Sequence, residues 1–548
     1  MANGLSLRFD SKLCSADDAV ALIQDGDCIT ISGTISAQLP SKVLHALEVK
    51  FLSEGTPRGL TWFDPFPTGI PGIEPISYAG LLKRVIGGWF TPHPRLRELI
   101  CANEIEAYCY PLGSLAFWCQ AMAAGRNFHL TQVGIDTYMD PRNGGGRLNA
   151  SSTEEYISLV DMAGEPYIAF RQLPINVAII RGTIVDADGN LSLEHEHTTM
   201  SSLFQALAAK RFGGKVIVQA QRLVPKGEIP ARMVTVPGLL VDAIVLDPDQ
   251  YSDPTVPELA WMHPFLRVPP PPGQVLASPS KDGWLKWLTE GVVDPDLSPY
   301  ERPLVPDMII GRRAMMEMHR GDVLNIGQGL PAREILPCTL EEGIAHELEL
   351  SIETGHLGGI VNGLGFRANT AAVMDTPGIF SLYGSGLVKA AFFSMLEFDA
   401  AGNVNLLRHG DTWVGPGGSM DIAHAVKKLV FCGTLRAAGL QAEGSDGSLI
   451  IHQEGAAPRA VAEVAGVCFN GKKMLAEGKT VTYVTERAVF QLTPDGVELT
   501  EVARGVDVER DVLGQMSFRP RIAAELKEMD PRIFRAGPMG IRAEWCAQ

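Results

Sequence analysis

A single glutamate, Glu353, stands in the stretch LSIETGHLGG, between an apolar run and a glycine-rich turn. The preceding residues, ELELSI, alternate as a strand does, whereas GHLGGIVNGLG holds too many glycines to continue as a helix. Open α/β sheets build their sites at the carboxyl ends of strands, where a carboxylate could take part in chemistry. The same residue could also be a solvated turn residue or the cap of a following helix.

Glycine-rich turns in the second half of the chain could bind anions through their backbone amides. Each turn follows a predicted strand or precedes a predicted helix. Any one of them could be an ordinary chain reversal, but together they suit a phosphate-bearing cofactor or a developing oxyanion. The turns are NIGQGLP (Gly327, Gln328, Gly329), ETGHLGG (Gly355, Gly358, Gly359), LYGSGL (Gly384, Gly386) and GPGGSMDI (Gly415, Gly417, Gly418).

Signatures of other chemistries are weak. The sequence GSGLVK has Lys389 where a dinucleotide fingerprint needs its third glycine. His195 and His197 in LEHEHTT could bind a metal, but no third His or Cys ligand is near, and a solvated loop or strand edge is the simpler interpretation. No nucleophile elbow, P-loop or CxxC pair occurs. We therefore expect no metal site and no tightly bound cofactor.

Composition narrows the class of protein. With 548 residues the chain is long enough for two or more domains, and its formal charge of −16 argues against a nucleic-acid binder. The start, MANGLSLRFDSK, lacks the apolar core of a signal peptide, and no stretch reads as a membrane span. The scattered cysteines suggest reduced thiols. We expect a cytoplasmic protein that binds neither nucleic acid nor membrane.

The sequence repeats itself. SADDAVALIQDGDCITISG predicts helix, turn and strand, with a capping box at Ser15 and Asp18, and GRRAMMEMHRGDVLNIGQG follows the same pattern. Two further segments recur at one offset, since 402 − 189 and 428 − 215 both give 213. Strand-like runs alternate with helical patterns, which favours parallel sheets. We predict an α/β fold of two homologous, open, largely parallel domains, with the active site in the cleft between them.

A proline-rich linker separates the two halves. Residues 267–307 include four consecutive prolines at 269–272, which favour an extended spacer. We place the boundary near residue 295. The predicted domains are 1–295, which ends in this linker, and 296–548, which carries Glu353.

Several long stretches of the sequence resemble those of one protein family. The chain resembles the single-chain family I coenzyme A transferases of the acetate/propionate type, which fuse alpha- and beta-subunit-like halves in a NagB-like fold. The resemblance covers residues 14–540. It is carried by DPRNGGGRLN at 140–149, IRGT at 180–183, FCGTL at 431–435, VTYVTERAVF at 481–490 and GVDVERDVL at 505–513.

The resemblance implies a role for Glu353 in the E-[ST]-G turn, that of the nucleophile which attacks an acyl-CoA. A mixed anhydride and then a glutamyl-CoA thioester would follow, in a ping-pong transfer of CoA to a small carboxylic acid. CoA is thus expected as substrate and covalent intermediate. Relatives tend to associate into dimers or tetramers, so the resemblance also implies a homo-oligomer. CoA contacts are expected at Gly327, Gln328, Gly329, Gly384, Gly386, Gly415, Gly417 and Gly418, with the amides of Gly417 and Gly418 as the oxyanion hole.

Three positions depart from the pattern of this family. Leu112, before Gly113 in YPLGS, stands where relatives commonly have glutamine, Ala37 stands where many have asparagine, and Val388 replaces an acid. The substrate pocket is therefore expected to be more apolar, with an acyl group larger or more hydrophobic than acetate. The departures leave open an acyl-CoA hydrolase or a non-catalytic sensor of CoA esters.

Overall fold

The structure is a computed structural model that describes residues 12–34, 38–66, 73–91, 93–250, 303–358, 360–361, 367–368 and 370–547. These residues form two compact units. The first unit holds the described residues up to 250 together with Val373–Ile379 and Asp411–Asp421, and the second holds the others. The predicted boundary near residue 295 and the four prolines lie outside the described residues.

The first unit is built on a nine-stranded sheet. The strand Cys28–Ile31 lies between Leu60–Phe63 and Val177–Asp186, so the direction of strand order reverses there. Every residue of Val177–Asp186 is buried, as in a sheet covered on both faces. The parallel strands are, in spatial order, Glu106–Cys109, Leu82–Gly87, Leu60–Phe63, Cys28–Ile31, Val177–Asp186, Lys215–Val224 and Ala243–Leu246. Leu191–Ser192 and Val234–Val236 extend the sheet antiparallel.

Helices and a small second sheet complete the first unit. The helices are Ala16–Val20, Ser41–Glu54, Pro94–Cys101, Leu112–Ala123 and Ser202–Arg211. The strands Phe128–Thr131, Glu165–Arg171 and Ile157–Met162 form an antiparallel sheet in that order. Ser15 is confirmed as the N-cap of the first helix, because the Asp18 amide donates to the Ser15 hydroxyl over 3.1 Å, and this hydroxyl donates to the Asp18 carboxylate over 2.7 Å.

The second unit repeats the parallel design in a ten-stranded sheet. Strand order reverses at Val323–Ile326, which lies between Glu349–Ser351 and Ala390–Ser394. Nine of its strands, in spatial order, are His356–Leu357, Glu349–Ser351, Val323–Ile326, Ala390–Ser394, Lys428–Cys432, Thr480–Val484, Ala488–Thr493, Gly496–Val502 and Arg521–Glu528. The five from Glu349–Ser351 to Thr480–Val484 are parallel. The predicted α/β fold with two largely parallel sheets is confirmed.

The remaining elements of the second half are short. Its helices are Pro306–Met315, Leu336–Glu341, Thr376–Gly384, Ser419–Ala425, Gly471–Ala476 and Ile541–Ala547. A hairpin joins Gln441–Ser445 to Ser448–Gln453. The apolar core of the second unit includes Ile309, Leu324, Ile335, Phe392 and Val430, all of them buried.

The predicted internal repeat is visible in two matching turns. Asp186 and Asp399 each accept hydrogen bonds from the amides two and four residues later and from the side chain of the asparagine four residues later. Gly189 and Gly402 then donate their amides to the carbonyl oxygens of these aspartates, each over 2.9 Å. The same turn therefore recurs at the predicted offset of 213, since 399 − 186 = 213.

Candidate active site

Glu353 lies just beyond the carboxyl end of the strand Glu349–Ser351. This strand pairs in parallel with Val323–Ile326, the strand at which the order of the second sheet reverses. Ligands of open α/β sheets bind outside the carboxyl ends of strands at such a reversal. Glu353 itself is half-buried. The predicted strand is confirmed, and the carboxylate stands at the edge of the sheet where chemistry is expected.

The chain around Glu353 forms a tight hairpin. The Ile352 amide donates to the His356 carbonyl oxygen over 3.2 Å, and the Gly355 amide donates to the Ile352 carbonyl oxygen over 3.1 Å. The Thr354 hydroxyl and His356 Nδ1 are hydrogen-bonded at 2.9 Å, and both residues are buried. A strand, His356–Leu357, follows the turn, so the alternative of a cap on a following helix is wrong. The hairpin holds Glu353 at its tip.

Residues 327–329, here called the 327–329 turn, follow the neighbouring strand Val323–Ile326. The Gly327 amide donates to the Phe392 carbonyl oxygen over 2.8 Å, and the Ser394 hydroxyl donates to the Gln328 carbonyl oxygen over 3.2 Å. A Cβ on Gly327 would lie 2.7 Å from the Phe392 oxygen, so only glycine permits this close approach. The turn is thereby fixed at the same sheet edge as Glu353.

Asn325 supports both turns and was missed by the sequence reasoning. It is fully buried, and its Nδ2 donates to the Ser351 carbonyl oxygen over 3.3 Å and to the Tyr383 hydroxyl over 3.1 Å. A buried amide of this kind contributes to stability through its hydrogen bonds. The available signal was a polar residue inside the apolar run VLNIG.

Residues 415–418, here called the 415–418 turn, belong to the first unit. The Gly417 amide donates to the Gly88 carbonyl oxygen over 2.9 Å, and the Leu112 amide donates to the Gly417 carbonyl oxygen over 3.1 Å. Gly415 has a φ of +89°, and a Cβ there would lie 2.5 Å from the Gly88 oxygen. Because the Gly417 amide is engaged within the protein, the prediction of an oxyanion donor rests on Gly418.

Asp421 follows this turn and contacts the start of the helix Leu112–Ala123. Its carboxyl group accepts hydrogen bonds from the Gly113 amide and from the Ser114 hydroxyl, each over 2.8 Å. Burial raises the pKa of Asp421 to about 7, and the hydrogen bonds from Ser114 and Gly113 only partly oppose this shift. Two motifs that lie some 300 positions apart in the sequence thus meet in one cluster.

Comparison with known proteins identifies the family. The sequence profile described as Coenzyme A transferase matches residues 14–247. The acetate CoA-transferase YdiF of Escherichia coli K12 is 36% identical over 534 residues, which cover 96% of both chains. The chain belongs to the coenzyme A transferase family. It is a single-chain family I member, whose halves correspond to alpha and beta subunits, and it transfers CoA between an acyl-CoA and a carboxylate.

Two further relatives of this CoA-transferase cover nearly its whole length. The caffeate CoA-transferase of Acetobacterium woodii is 32% identical over 535 residues, which cover 96% of this chain and 97% of the relative. The crystal structure of the acyl-CoA transferase YdiF from E. coli O157:H7, a thioester complex with CoA, matches with a TM-score of 0.85. Its identity is 34%, and the match covers 97% of this chain and 98% of that one.

The LYGSGL turn of this CoA-transferase lies at the opposite edge of the second sheet. Gly384 ends the helix Thr376–Gly384, and the chain then enters the amino end of Ala390–Ser394, where the Lys389 amide donates to the Val323 carbonyl oxygen over 2.8 Å. Glycines at a helix carboxyl terminus lie beside its last carbonyls, which disfavour anions. The predicted CoA contacts of Gly384 and Gly386 and the predicted pocket position of Val388 stay predictions.

Of the other predicted pocket residues, Leu112 and Gly113 lie beside the 415–418 turn. Leu112 is the first residue of the helix Leu112–Ala123 and is 1% exposed, and Gly113 is held by Asp421. Leu112 packs against the 415–418 turn, because a Cβ on Gly417 would lie 3.8 Å from its Cδ1 atom. Ala37 lies outside the described residues.

The two histidines of LEHEHTT differ in exposure, since His195 is partly exposed and His197 is buried. His197 and Glu196 are buried, and Glu196 accepts a hydrogen bond from Nε of the buried Arg181 over 3.0 Å. The expectation of a solvated loop is wrong for these residues, because the guanidinium compensates the buried carboxylate. Among the described residues, no group of three or more potential ligands could hold a metal ion. No helix in the described ranges is long and apolar enough to cross a membrane.

Proposed function

We propose that this CoA-transferase works by a ping-pong mechanism in which Glu353 carries a covalent thioester. The Glu353 carboxylate attacks the carbonyl carbon of an acyl-CoA, which gives a mixed anhydride and the CoA thiolate. The thiolate then attacks the glutamyl carbonyl, which gives the glutamyl-CoA thioester and releases the acyl group as a carboxylate. An incoming carboxylate reverses both steps and leaves as the new acyl-CoA.

The position of Glu353 carries this proposal. A glutamate is ionised at neutral pH and needs no general base, so its weak nucleophilicity has to be offset by orientation. The hairpin at residues 352–356 supplies orientation, which contributes up to about 7–11 kcal/mol in favourable systems. A backbone donor such as the Gly418 amide could lower the barrier by about 3 kcal/mol more. The thioester of CoA in the YdiF complex supports the same intermediate here.

We further propose that the acyl group is larger or more hydrophobic than acetate, within short- to medium-chain acid metabolism. The apolar Leu112 side chain beside the 415–418 turn supports this view. Relatives of similar identity are named for acetate and for the aromatic acid caffeate, so the fold serves acyl groups of both sizes. The cytoplasmic location and the homodimeric or homotetrameric state stay predictions.

Steady-state kinetics of Glu353→Gln tests the nucleophile. An amide oxygen is a poor nucleophile, so we expect CoA transfer to be lost while acyl-CoA binding persists. Glu347→Gln is the matched control, because Glu347 lies six residues earlier and pairs with the exposed Arg320. It should keep wild-type rates. Retained transfer in Glu353→Gln would refute the proposal. Release of CoA by the wild-type enzyme without an acceptor acid would indicate acyl-CoA hydrolysis instead.

A further inference from the structure

The 415–418 turn is joined to the start of the helix Leu112–Ala123 by three hydrogen bonds in a row. The Leu112 amide donates to Gly417, and the Gly113 amide and the Ser114 hydroxyl donate to Asp421. The first three residues of the helix Leu112–Ala123 thus contact residues 417 and 421, the two ends of a five-residue stretch. The turn therefore cannot shift relative to the helix without breaking these bonds.

Asp421 does more in this arrangement than an ordinary helix cap. Pro111, the residue before the helix, makes no capping hydrogen bond with its side chain. Asp421 supplies the missing acceptor for the first turn of that helix from a distant part of the chain. It also lies in the first turn of its own helix, Ser419–Ala425, directly behind the 415–418 turn. One carboxyl group therefore connects two helix starts.

We propose that Asp421 is a positioning residue for CoA transfer, which fixes the 415–418 turn against the helix Leu112–Ala123. The inference rests on the proposed role of that turn in the reaction. Displacing the Gly418 amide by a fraction of the length of a hydrogen bond would weaken its contact with the developing oxyanion. Since this contact is made in the transition state, weakening it should lower kcat more than it changes KM.

Replacements at Asp421 separate positioning from charge. Asp421→Asn keeps an oxygen that accepts from the Gly113 amide, and its new NH₂ group can donate to the Ser114 hydroxyl, which accepts instead of donating. Asp421→Ala removes both bonds. We expect kcat of Asp421→Ala to fall by about 100-fold, the usual cost of a misplaced reacting geometry, while Asp421→Asn retains most of the activity.

Asp186→Ala is the matched control for Asp421→Ala. Asp186 is also a carboxylate in the first unit and accepts three hydrogen bonds, but these serve only its own turn. We expect this variant to unfold at lower temperature with kcat unchanged. An equal fall of kcat in Asp186→Ala and Asp421→Ala would overturn the inference, and so would an unchanged kcat in a folded Asp421→Ala.

Ser114→Ala keeps the test decisive if Asp421→Ala does not fold. It removes one of the two bonds to the carboxyl group and should lower kcat by less than Asp421→Ala, whereas an unchanged kcat would overturn the inference. The kcat of CoA transfer can be compared among the Asp421, Asp186 and Ser114 variants whichever residue carries the thioester. Activity retained in Glu353→Gln would therefore refute the covalent mechanism without deciding the role of Asp421.

Discussion

The side-chain amide of Asn325 donates a hydrogen bond to the carbonyl oxygen of Ser351 over 3.3 Å. Ser351 ends the strand that leads to Glu353, and Asn325 lies on the strand that leads to the 327–329 turn. The same nitrogen also donates to the hydroxyl of Tyr383. One buried amide thus connects the strand that leads to Glu353, the proposed nucleophile, with the central strand Val323–Ile326.

Asn325→Leu should lower both the stability and the rate of CoA transfer. Leucine has a similar volume but leaves the Ser351 carbonyl without this donor, at a cost of about 1–3 kcal/mol in the free energy of unfolding. We expect kcat to fall as well, because the strand before Glu353 loses a support. Asn405→Leu is the control, since Asn405 is fully buried and donates to Glu397 and Arg408. Urea unfolding and kinetics of both variants check this, and an equal kcat loss would contradict it.

Asp421 should make the protein less stable as the pH rises. Burial raises its pKa from 3.8 to about 7, so the folded state keeps a proton that the unfolded state has already released between these values. Its contribution to the free energy of unfolding therefore falls as the pH rises through this window, by up to about 1.4 kcal/mol per pH unit, and is constant above it.

Asp421→Asn has no such proton, so its stability relative to wild type should improve between pH 5 and pH 7. Urea unfolding of both proteins at pH 5, 6, 7 and 8 measures the difference. A difference that is constant with pH, or that changes in the opposite direction, would contradict the raised pKa.

The two matching turns should respond unequally to the same substitution. Gly189 and Gly402 have φ of +86° and +78°, so Gly→Ala costs about 1 kcal/mol at either site. A Cβ on Gly402 would also clash with Leu492, whereas one on Gly189 would have contacts no closer than 3.5 Å. Overpacking adds about 1–3 kcal/mol, so Gly402→Ala should be the more destabilised variant. Equal unfolding midpoint shifts in urea would show that the clash relaxes without cost.

Leu112→Gln should shift the enzyme toward acetyl-CoA. The Leu112 side chain is buried beside the 415–418 turn, and an amide there would make the proposed acyl pocket more polar. We expect kcat/KM for hexanoyl-CoA to fall relative to that for acetyl-CoA. Leu112→Met, which keeps the site apolar, is the control and should keep the wild-type ratio. The ratio of the two kcat/KM values is the measurement, and a ratio unchanged in Leu112→Gln would exclude Leu112 from acyl selection.

Much of the fold follows from local sequence signals. Neighbouring residues alone indicate the strand runs and the N-cap at Ser15. The repeat follows from comparing two short stretches at an offset of 213, and each of these features has its counterpart in the structure. The placement of Glu353 beyond a strand follows in the same way. These features could be predicted because hydrophobic periodicity and turn chemistry act over short distances.

Long-range contacts could not be predicted in this way. The bond between Asp421 and Gly113 joins residues 308 positions apart, and no local pattern indicates it. The position of Gly384 at the end of the helix Thr376–Gly384 could not be predicted either, because a glycine-rich turn has the same sequence signature at either end of a helix. The burial of Glu196 was missed because its ion-pair partner Arg181 lies on the strand Val177–Asp186, 15 residues earlier in the sequence.

Peptide mass spectrometry after incubation with acyl-CoA tests whether Glu353 carries the covalent thioester. The protein would be incubated with acyl-CoAs of increasing chain length, reduced with borohydride and digested. We expect reduction of the Glu353 side chain, only after exposure to acyl-CoA, and most efficiently with donors larger than acetyl-CoA. A protein that transfers CoA while its Glu353 peptide remains unmodified with every donor would contradict the covalent mechanism.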